Sequence, residues 1–138
     1  ALAEAMRLAT EVNKYLDREA PWQSIKTDKA VAGRSIYTAI RAIDSLKIML
    51  APFLPFTSER LHGFLGYTQP LFGTQQVEKV KDALGEHNVL RYEPLEATGR
   101  WQPSQIEAGR ILQQPQPLFK KLDMSIIEAE RSRLGEPQ

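Results

Sequence analysis

The sequence predicts an all-α fold, a helical bundle followed by an irregular C-terminal wrap. Apolar residues recur at three- and four-residue steps through residues 1–66, which is the spacing of a core-facing helical stripe. Prolines and glycines instead interrupt residues 86–117, where no such period exists. A length of 138 residues suits one domain, with a helical core over 1–66, a middle segment over 67–100 and a C-terminal strap with a short helix over 101–138.

The first helix is predicted to begin with the chain and to end at Pro21, because proline lacks an amide hydrogen and disfavours helical angles at the preceding residue. Asn13 lies in phase with its apolar stripe, so we expect a buried amide that finds a hydrogen-bond partner. The chain lacks an initiating Met and begins in helical phase, which indicates a piece of a longer protein. The apolar stripe consists of Leu2, Ala5, Met6, Ala9, Val12, Leu16 and Ala20.

A second, long helix is predicted to begin near Thr27 and Asp28, both good N-caps, and to end at the Ala51-Pro52 break. A short third helix is capped by Thr57 and stopped by Gly66. The stripe of the second helix consists of Ala32, Ile36, Ala39, Ile40, Ile43, Leu46 and Leu50.

The remaining pattern predicts two more helices, and residues 89–92 suit a short extended segment, but no sheet is predicted. Thr74 caps a modest fourth helix that Gly85 ends, and Asp123 or Ser125 caps a short last helix. The apolar positions of these helices are Val77, Val80, Ala83 and Leu84, then Ile126, Ile127 and Ala129.

Composition excludes several kinds of site. The absence of cysteine excludes disulfides, thiolate zinc sites and a cysteine nucleophile. His62 and His87 have no second ligand near them in the sequence, so no metal site is predicted, and His62 is expected at a helix surface. Without a Gly-rich phosphate loop or a nucleophile set, we assign no catalytic residue. A net charge of +1 means that any nucleic-acid role needs a local site.

No run reaches the roughly 20 apolar residues of a membrane span, and the first residues do not form a signal peptide. We therefore expect a cytoplasmic protein without a membrane partner.

One segment combines an aromatic residue with cations. Pro21 fixes the backbone and Trp22 follows directly, so a nucleobase can stack on its indole. Lys26 lies one helical turn beyond, and Lys14 and Arg18 flank the other side. Proteins read single-stranded RNA loops in this way, on aromatic planes surrounded by cations. A tryptophan at a helix end is also a common core anchor, so the residues alone leave both interpretations open.

The spacing of Asn13, Tyr15, Ala20-Pro21-Trp22 and Lys26 resembles the signature of the helical anticodon-binding domain of class Ia aminoacyl-tRNA synthetases. The elbow at residues 50–56 fits the same family. A second set resembles the end of bacterial-type methionyl-tRNA synthetases: Trp101, Gly109, Leu112 and Pro115-x-Pro117-Leu118-Phe119-Lys120-Lys121-Leu122-Asp123.

The resemblance implies a role for each matching residue. Trp22 matches the tryptophan that stacks on a base of the CAU anticodon, Pro21 the residue that presents it, and Lys26 a basic residue near the anticodon backbone. Asn13 and Tyr15 match positions that we interpret as structural. The implied partners are the anticodon loop of tRNA-Met and the catalytic domain of the parent synthetase.

The resemblance also implies what this piece lacks. The parent uses ATP and Mg²⁺, whereas no cofactor is expected here, because the catalytic domain with its HIGH and KMSKS motifs is absent and the piece alone is expected to be inactive. The family also reads the anticodon from a preceding helix, so the first helix of the domain is expected to be truncated. Residues 67–100 match least and are treated as a variable insert.

Two alternatives to this assignment remain. In the first alternative, the chain is the anticodon domain of another class Ia synthetase, for isoleucine, valine, leucine or cysteine. In the second alternative, it is a helical protein-interaction module with no RNA role.

For the C-terminal strap, we expect Leu118, Phe119 and Leu122 to pack back onto the bundle, because burial of each such side chain contributes about 1.5–3 kcal/mol.

Overall fold

Helices form the first half of the chain in a computed structural model that describes residues 1–121 and 123–134. No helix within these ranges is both long enough and apolar enough to cross a membrane. The elements are α1 (Leu2–Glu19), α2 (Pro21–Ser24), α3 (Lys29–Leu50), α4 (Pro55–Phe64), β1 (Thr74–Asp82), β2 (Gly85–Glu93) and α5 (Met124–Leu134).

Helix α1 packs mainly against α3, and this single neighbour decides which of its residues are buried. Ala5 is buried, and Leu8, Ala9, Val12, Tyr15 and Leu16 are half-buried on that face. The predicted stripe is therefore wrong at Leu2 and Met6, which are exposed. The prediction of a buried amide at Asn13 is also wrong, because one packed helix covers a narrower face than the sequence period suggested.

Helix α3 begins where the sequence predicts. The Asp28 carboxylate accepts hydrogen bonds from the amides of Ala30 at 2.9 Å and Val31 at 3.1 Å, which satisfies the first free donors of the helix. The break after Leu50 is confirmed as well. Within α3, Ile36 is exposed, whereas the buried set includes two charged residues that the predicted stripe omits.

Helix α4 begins at Pro55 rather than after a Thr57 cap. Proline suits the first helical position, because its fixed φ is already helical and its missing amide hydrogen has no partner to lose there. The predicted stop at Gly66 is confirmed, with φ +81 two residues beyond the helix. A β-carbon at Gly66 would also collide with the carbonyl oxygen of Ile111 in the strap, so the close approach of the strap requires glycine at position 66.

The middle segment forms an antiparallel hairpin, which makes the prediction of a fourth helix without any sheet wrong. Strands β1 and β2 pair from Thr74 with Glu93 to Asp82 with Gly85. The turn depends on local chemistry, since the Asp82 carboxylate accepts the Leu84 amide at 2.8 Å and Gly85 adopts φ +98. Each strand supplies the other's hydrogen bonds, and this pairing outweighs the weak helical spacing of the apolar residues.

Residues 94–121, which include the first part of the predicted C-terminal strap, are irregular and cross the helices. The Tyr37 hydroxyl donates to the Ile106 carbonyl at 3.0 Å, and the Gln113 amide donates to the Phe64 carbonyl at 2.9 Å. Leu118 is half-buried, but Phe119 is 63% exposed, so the prediction that Phe119 packs onto the bundle is wrong. Leu122 lies outside the described residues.

Helix α5 follows the strap, and its side chains are exposed. The Asp123 carboxylate accepts the amide of Ser125 at 2.8 Å, which confirms Asp123, of the two predicted caps, as the one at this helix start. The hydroxyl of Ser125 donates to the same carboxylate. This local hydrogen bonding forms the helix terminus without support from the bundle.

Candidate nucleic-acid interface

Ala20 forms the corner between α1 and α2. Its φ of +40° and ψ of +58° place it in the left-handed region, so the predicted end of α1 before Pro21 is confirmed. The Ala20 amide still donates to the Leu16 carbonyl at 2.9 Å, and its own carbonyl accepts the Gln23 amide at 2.8 Å. The chain therefore passes from one helix into the next with no intervening loop.

Trp22 is presented by this corner. Pro21 occupies the first position of α2 and is buried, whereas Trp22 is 54% exposed. Helix α2 packs on α3, which holds the short segment against the bundle. In the described part of the chain, the indole takes part in no stacked aromatic pair or cation–π contact.

The cations that the sequence groups with Trp22 are all exposed. Lys14 pairs with Glu11 at 3.0 Å, and Arg18 pairs with Glu19 at 3.1 Å. Such exposed pairs contribute about 0–1 kcal/mol, so a phosphate competes readily for either cation. No carboxylate of residues 1–121 or 123–134 lies within ion-pair distance of Lys26.

Asn13 and Tyr15 lie on different faces of α1. Tyr15 is half-buried and lines an apolar groove of about 300 Å³ between α1 and α3, together with Leu8, Val12 and Leu46. The Arg18 guanidinium lies 5.5 Å from the centroid of its ring. Tyr15 thus packs between helices and supports a cation of the site, whereas Asn13 faces solvent.

A second cluster of polar side chains, not predicted from the sequence, lies within the bundle. We call Asp44, Lys47, His62, Tyr67 and Ser104 the buried polar cluster. The Lys47 ammonium, 2% exposed, donates to Asp44 Oδ1 at 2.6 Å and to His62 Nδ1 at 2.8 Å. Asp44 Oδ2 accepts the hydroxyls of Ser104 at 2.6 Å and Tyr67 at 3.0 Å. His62 and Tyr67 stack, with ring centroids 4.1 Å apart.

The hydrogen bonds of His62 define its protonation. An ammonium group has only donors, so Nδ1 of His62 accepts from Lys47 and the proton resides on Nε2. The single Nε2 hydrogen is shared between the Gln69 carbonyl at 3.1 Å and the Thr98 hydroxyl oxygen at 2.9 Å, and the Thr98 hydroxyl donates in turn to the Pro70 carbonyl at 3.0 Å. Burial and then the adjacent Lys47 charge lower the pKa of His62, which keeps the ring neutral.

Burial and ion pairing also shift the pKa values of Asp44, Lys47 and Tyr67. Burial alone would raise the pKa of Asp44, but hydrogen bonds from Lys47, Ser104 and Tyr67 together hold that pKa below its ordinary value. Burial lowers the pKa of Lys47, which its bond to Asp44 only partly offsets. Burial and the Asp44 charge raise the pKa of Tyr67 to about 12.

This cluster is structural. It connects α3, α4, the segment after α4 and the strap, and no described side-chain nitrogen or oxygen that is fully buried lacks a hydrogen-bond partner. The expectation of His62 at a helix surface is wrong, because the residue is 2% exposed. A signal was present in the sequence, since Asp44 and Lys47 are an i,i+3 charge pair in the middle of an apolar helix.

Comparison with known proteins identifies the family of this chain. Residues 1–98 match the family model described as the anticodon binding domain of methionyl tRNA ligase. A methionine–tRNA ligase of Thermomicrobium roseum is 55% identical over 97% of this chain and 23% of its own length. That of Chloroflexus aggregans is 49% identical over 97% of the chain and 22% of its own length. The chain thus spans less than a quarter of these relatives, and it belongs to the family of methionyl-tRNA ligase anticodon-binding domains.

Proposed function

We propose that this chain reads the CAU anticodon loop of tRNA-Met, in support of methionylation by a longer cytoplasmic synthetase. The observation that carries the proposal is the indole of Trp22, a residue more than half exposed beside a buried proline, in a chain of this family. A base of the loop stacks on this ring, which contributes about 1–3 kcal/mol. Because Pro21 is buried, it anchors the backbone that carries the Trp22 indole.

Phosphate contacts surround this stacked base. Lys26 lies one turn beyond Trp22, has no described carboxylate partner and binds the loop backbone. Lys14 and Arg18, which are both exposed, exchange their glutamate partners for phosphates at little cost. Stacking tolerates any base, so discrimination of CAU needs hydrogen bonds to base edges, which residues elsewhere in the synthetase contribute.

The chemical step lies outside this chain. ATP and Mg²⁺ belong to the catalytic domain of the parent, which is the protein partner of this domain, and we propose no cofactor for residues 1–138. The chain contributes binding energy that positions the tRNA, and oriented binding of this kind accelerates a reaction at a remote centre.

The test compares the 138-residue chain with two variants for binding of a short RNA hairpin with a CAU loop. Trp22→Ala is expected to weaken binding about 5- to 150-fold, the equivalent of about 1–3 kcal/mol. Trp101→Ala is the matched control, because Trp101 is 77% exposed in the strap and far from Trp22 in sequence. Equal affinity of Trp22→Ala and of the unsubstituted chain for the hairpin would refute the proposal.

Because the chain belongs to the methionyl-tRNA ligase family, the alternative that remains is a helical protein-interaction module with no RNA role. Binding of the CAU hairpin that weakens as the salt concentration rises would exclude this alternative, since phosphate contacts bring salt dependence.

A further inference from the structure

Ala20 adopts a backbone conformation that is unusual for its residue type. Within residues 1–121 and 123–134 it is the one non-glycine residue with positive φ, at φ +40° and ψ +58°. A β-carbon is strained in the left-handed region, where glycine and asparagine are the usual residues. Strain of this kind persists where the surrounding structure enforces it, and it often marks a functional position.

The surrounding structure enforces it from both sides of Ala20. Its amide is the last donor into α1, to the Leu16 carbonyl at 2.9 Å. Its carbonyl is the first acceptor of α2, from the amides of Gln23 at 2.8 Å and Ser24 at 3.2 Å. A change in either dihedral angle of Ala20 breaks one of these sets of bonds, so this one residue sets the angle between α1 and α2.

The indole follows directly from this corner. The ring of Pro21 fixes the next φ and is buried, and Trp22 already has helical geometry in α2. The direction of the Trp22 side chain relative to Lys14 and Arg18 on α1 therefore depends on Ala20. A β-carbon confines Ala20 to a narrow part of the left-handed region, whereas glycine explores all of it and the opposite region as well.

We propose that Ala20 is a positioning residue for the Trp22 stacking site, and that its β-carbon fixes the indole in the orientation that receives a base. The inference rests on the proposed function and adds a determinant of it that lies outside the RNA contact itself. Preorganisation raises affinity because less freedom is lost on binding. Alanine at this corner thus has a strained backbone, and this strain accompanies a fixed orientation of the stacking indole.

The test uses Ala20→Gly and Ala20→Asn in a Trp101→Phe background, where Trp22 is the sole tryptophan. Time-resolved fluorescence anisotropy reports the freedom of the indole, and titration reports binding of the CAU hairpin. Ala20→Gly is expected to lower the residual anisotropy and weaken binding about 3- to 10-fold, with an unchanged or higher melting temperature because strain is relieved. Ala20→Asn tolerates the left-handed region and keeps a β-carbon, so it is expected to retain both properties.

The outcomes separate this inference from the proposed function. If Trp22→Ala weakens binding but Ala20→Gly changes neither anisotropy nor affinity, the positioning role is refuted while the proposed function stands. If Trp22→Ala binds the CAU hairpin as tightly as the unsubstituted chain does, the proposed function itself fails. A melting temperature that falls in Ala20→Gly together with affinity would indicate general loosening of the fold, and it would also overturn the role of the β-carbon.

Discussion

Substitution of Asp44 by asparagine tests the buried polar cluster most sharply. The two side chains have nearly the same size, so Asp44→Asn removes a charge without opening a cavity. Asp44 Oδ1 accepts the Lys47 ammonium at 2.6 Å, and the side chains of Asp44 and Lys47 are only 6% and 2% exposed. In the variant the ammonium remains buried without its carboxylate, next to the neutral His62 ring.

The expected loss is large because the remaining charge stays desolvated. Breaking a buried ion pair by removal of one partner costs about 3–5 kcal/mol. Removal of the Tyr67 hydroxyl takes away a single hydrogen bond to a charged group, so Tyr67→Phe is expected to cost about 1.5–3 kcal/mol. Asp44→Asn is therefore expected to be clearly the more damaging of the two substitutions.

Urea unfolding followed by far-UV circular dichroism measures both free energies, provided that the denaturant slope stays constant. The double variant Asp44→Asn/Lys47→Met removes the orphaned charge as well and is expected to recover most of the loss. A loss below about 1 kcal/mol in Asp44→Asn, the range of an exposed pair, would refute the reasoning. Failure of the double variant to improve on the single one would contradict the assignment of the loss to Lys47.

Two further predictions concern pH and helix capping. Burial and the Lys47 charge lower the pKa of His62 in the folded chain, so as pH falls below the ordinary histidine pKa of about 6.5 the unfolded chain binds a proton first and the free energy of unfolding decreases. Urea midpoints measured on both sides of this pH are expected to show the decrease, and the decrease is expected to disappear in His62→Gln. The same pH dependence of the midpoint in that variant as in the unsubstituted chain would contradict the assignment to His62. Asp28→Ala is expected to lower the free energy of unfolding by about 1 kcal/mol through loss of the α3 cap, whereas Asp28→Asn retains it; equal melting temperatures for both variants would contradict the cap.

The parts of the fold that follow from local chemistry were predictable. Pro21 ends α1 and Asp28 begins α3 because each acts on its immediate backbone neighbours. The hairpin was not predictable in this way, since the pairing of Val77 with Leu90 joins residues that are distant in sequence. The same apolar spacing in residues 77–84 suits a weak helix or a strand, and only the partner strand decides between them.

For the candidate site, the residue types were predictable but their burial was not. Periodicity placed Asn13 on the packed face of α1, and its exposure follows from the fact that α3 alone packs closely there. Trp22 suited a core anchor as well as a stacking platform, and the left-handed angle at Ala20 that presents it leaves no sequence signature. The buried polar cluster needed Ser104, which lies 60 residues from Asp44.

The central claim is that the Trp22 indole receives a nucleobase. In the Trp101→Phe chain, titration with the CAU hairpin is expected to quench the emission of Trp22 and to saturate at the dissociation constant measured by an independent binding assay. Hairpin binding at full affinity with no change in that emission would contradict the claim.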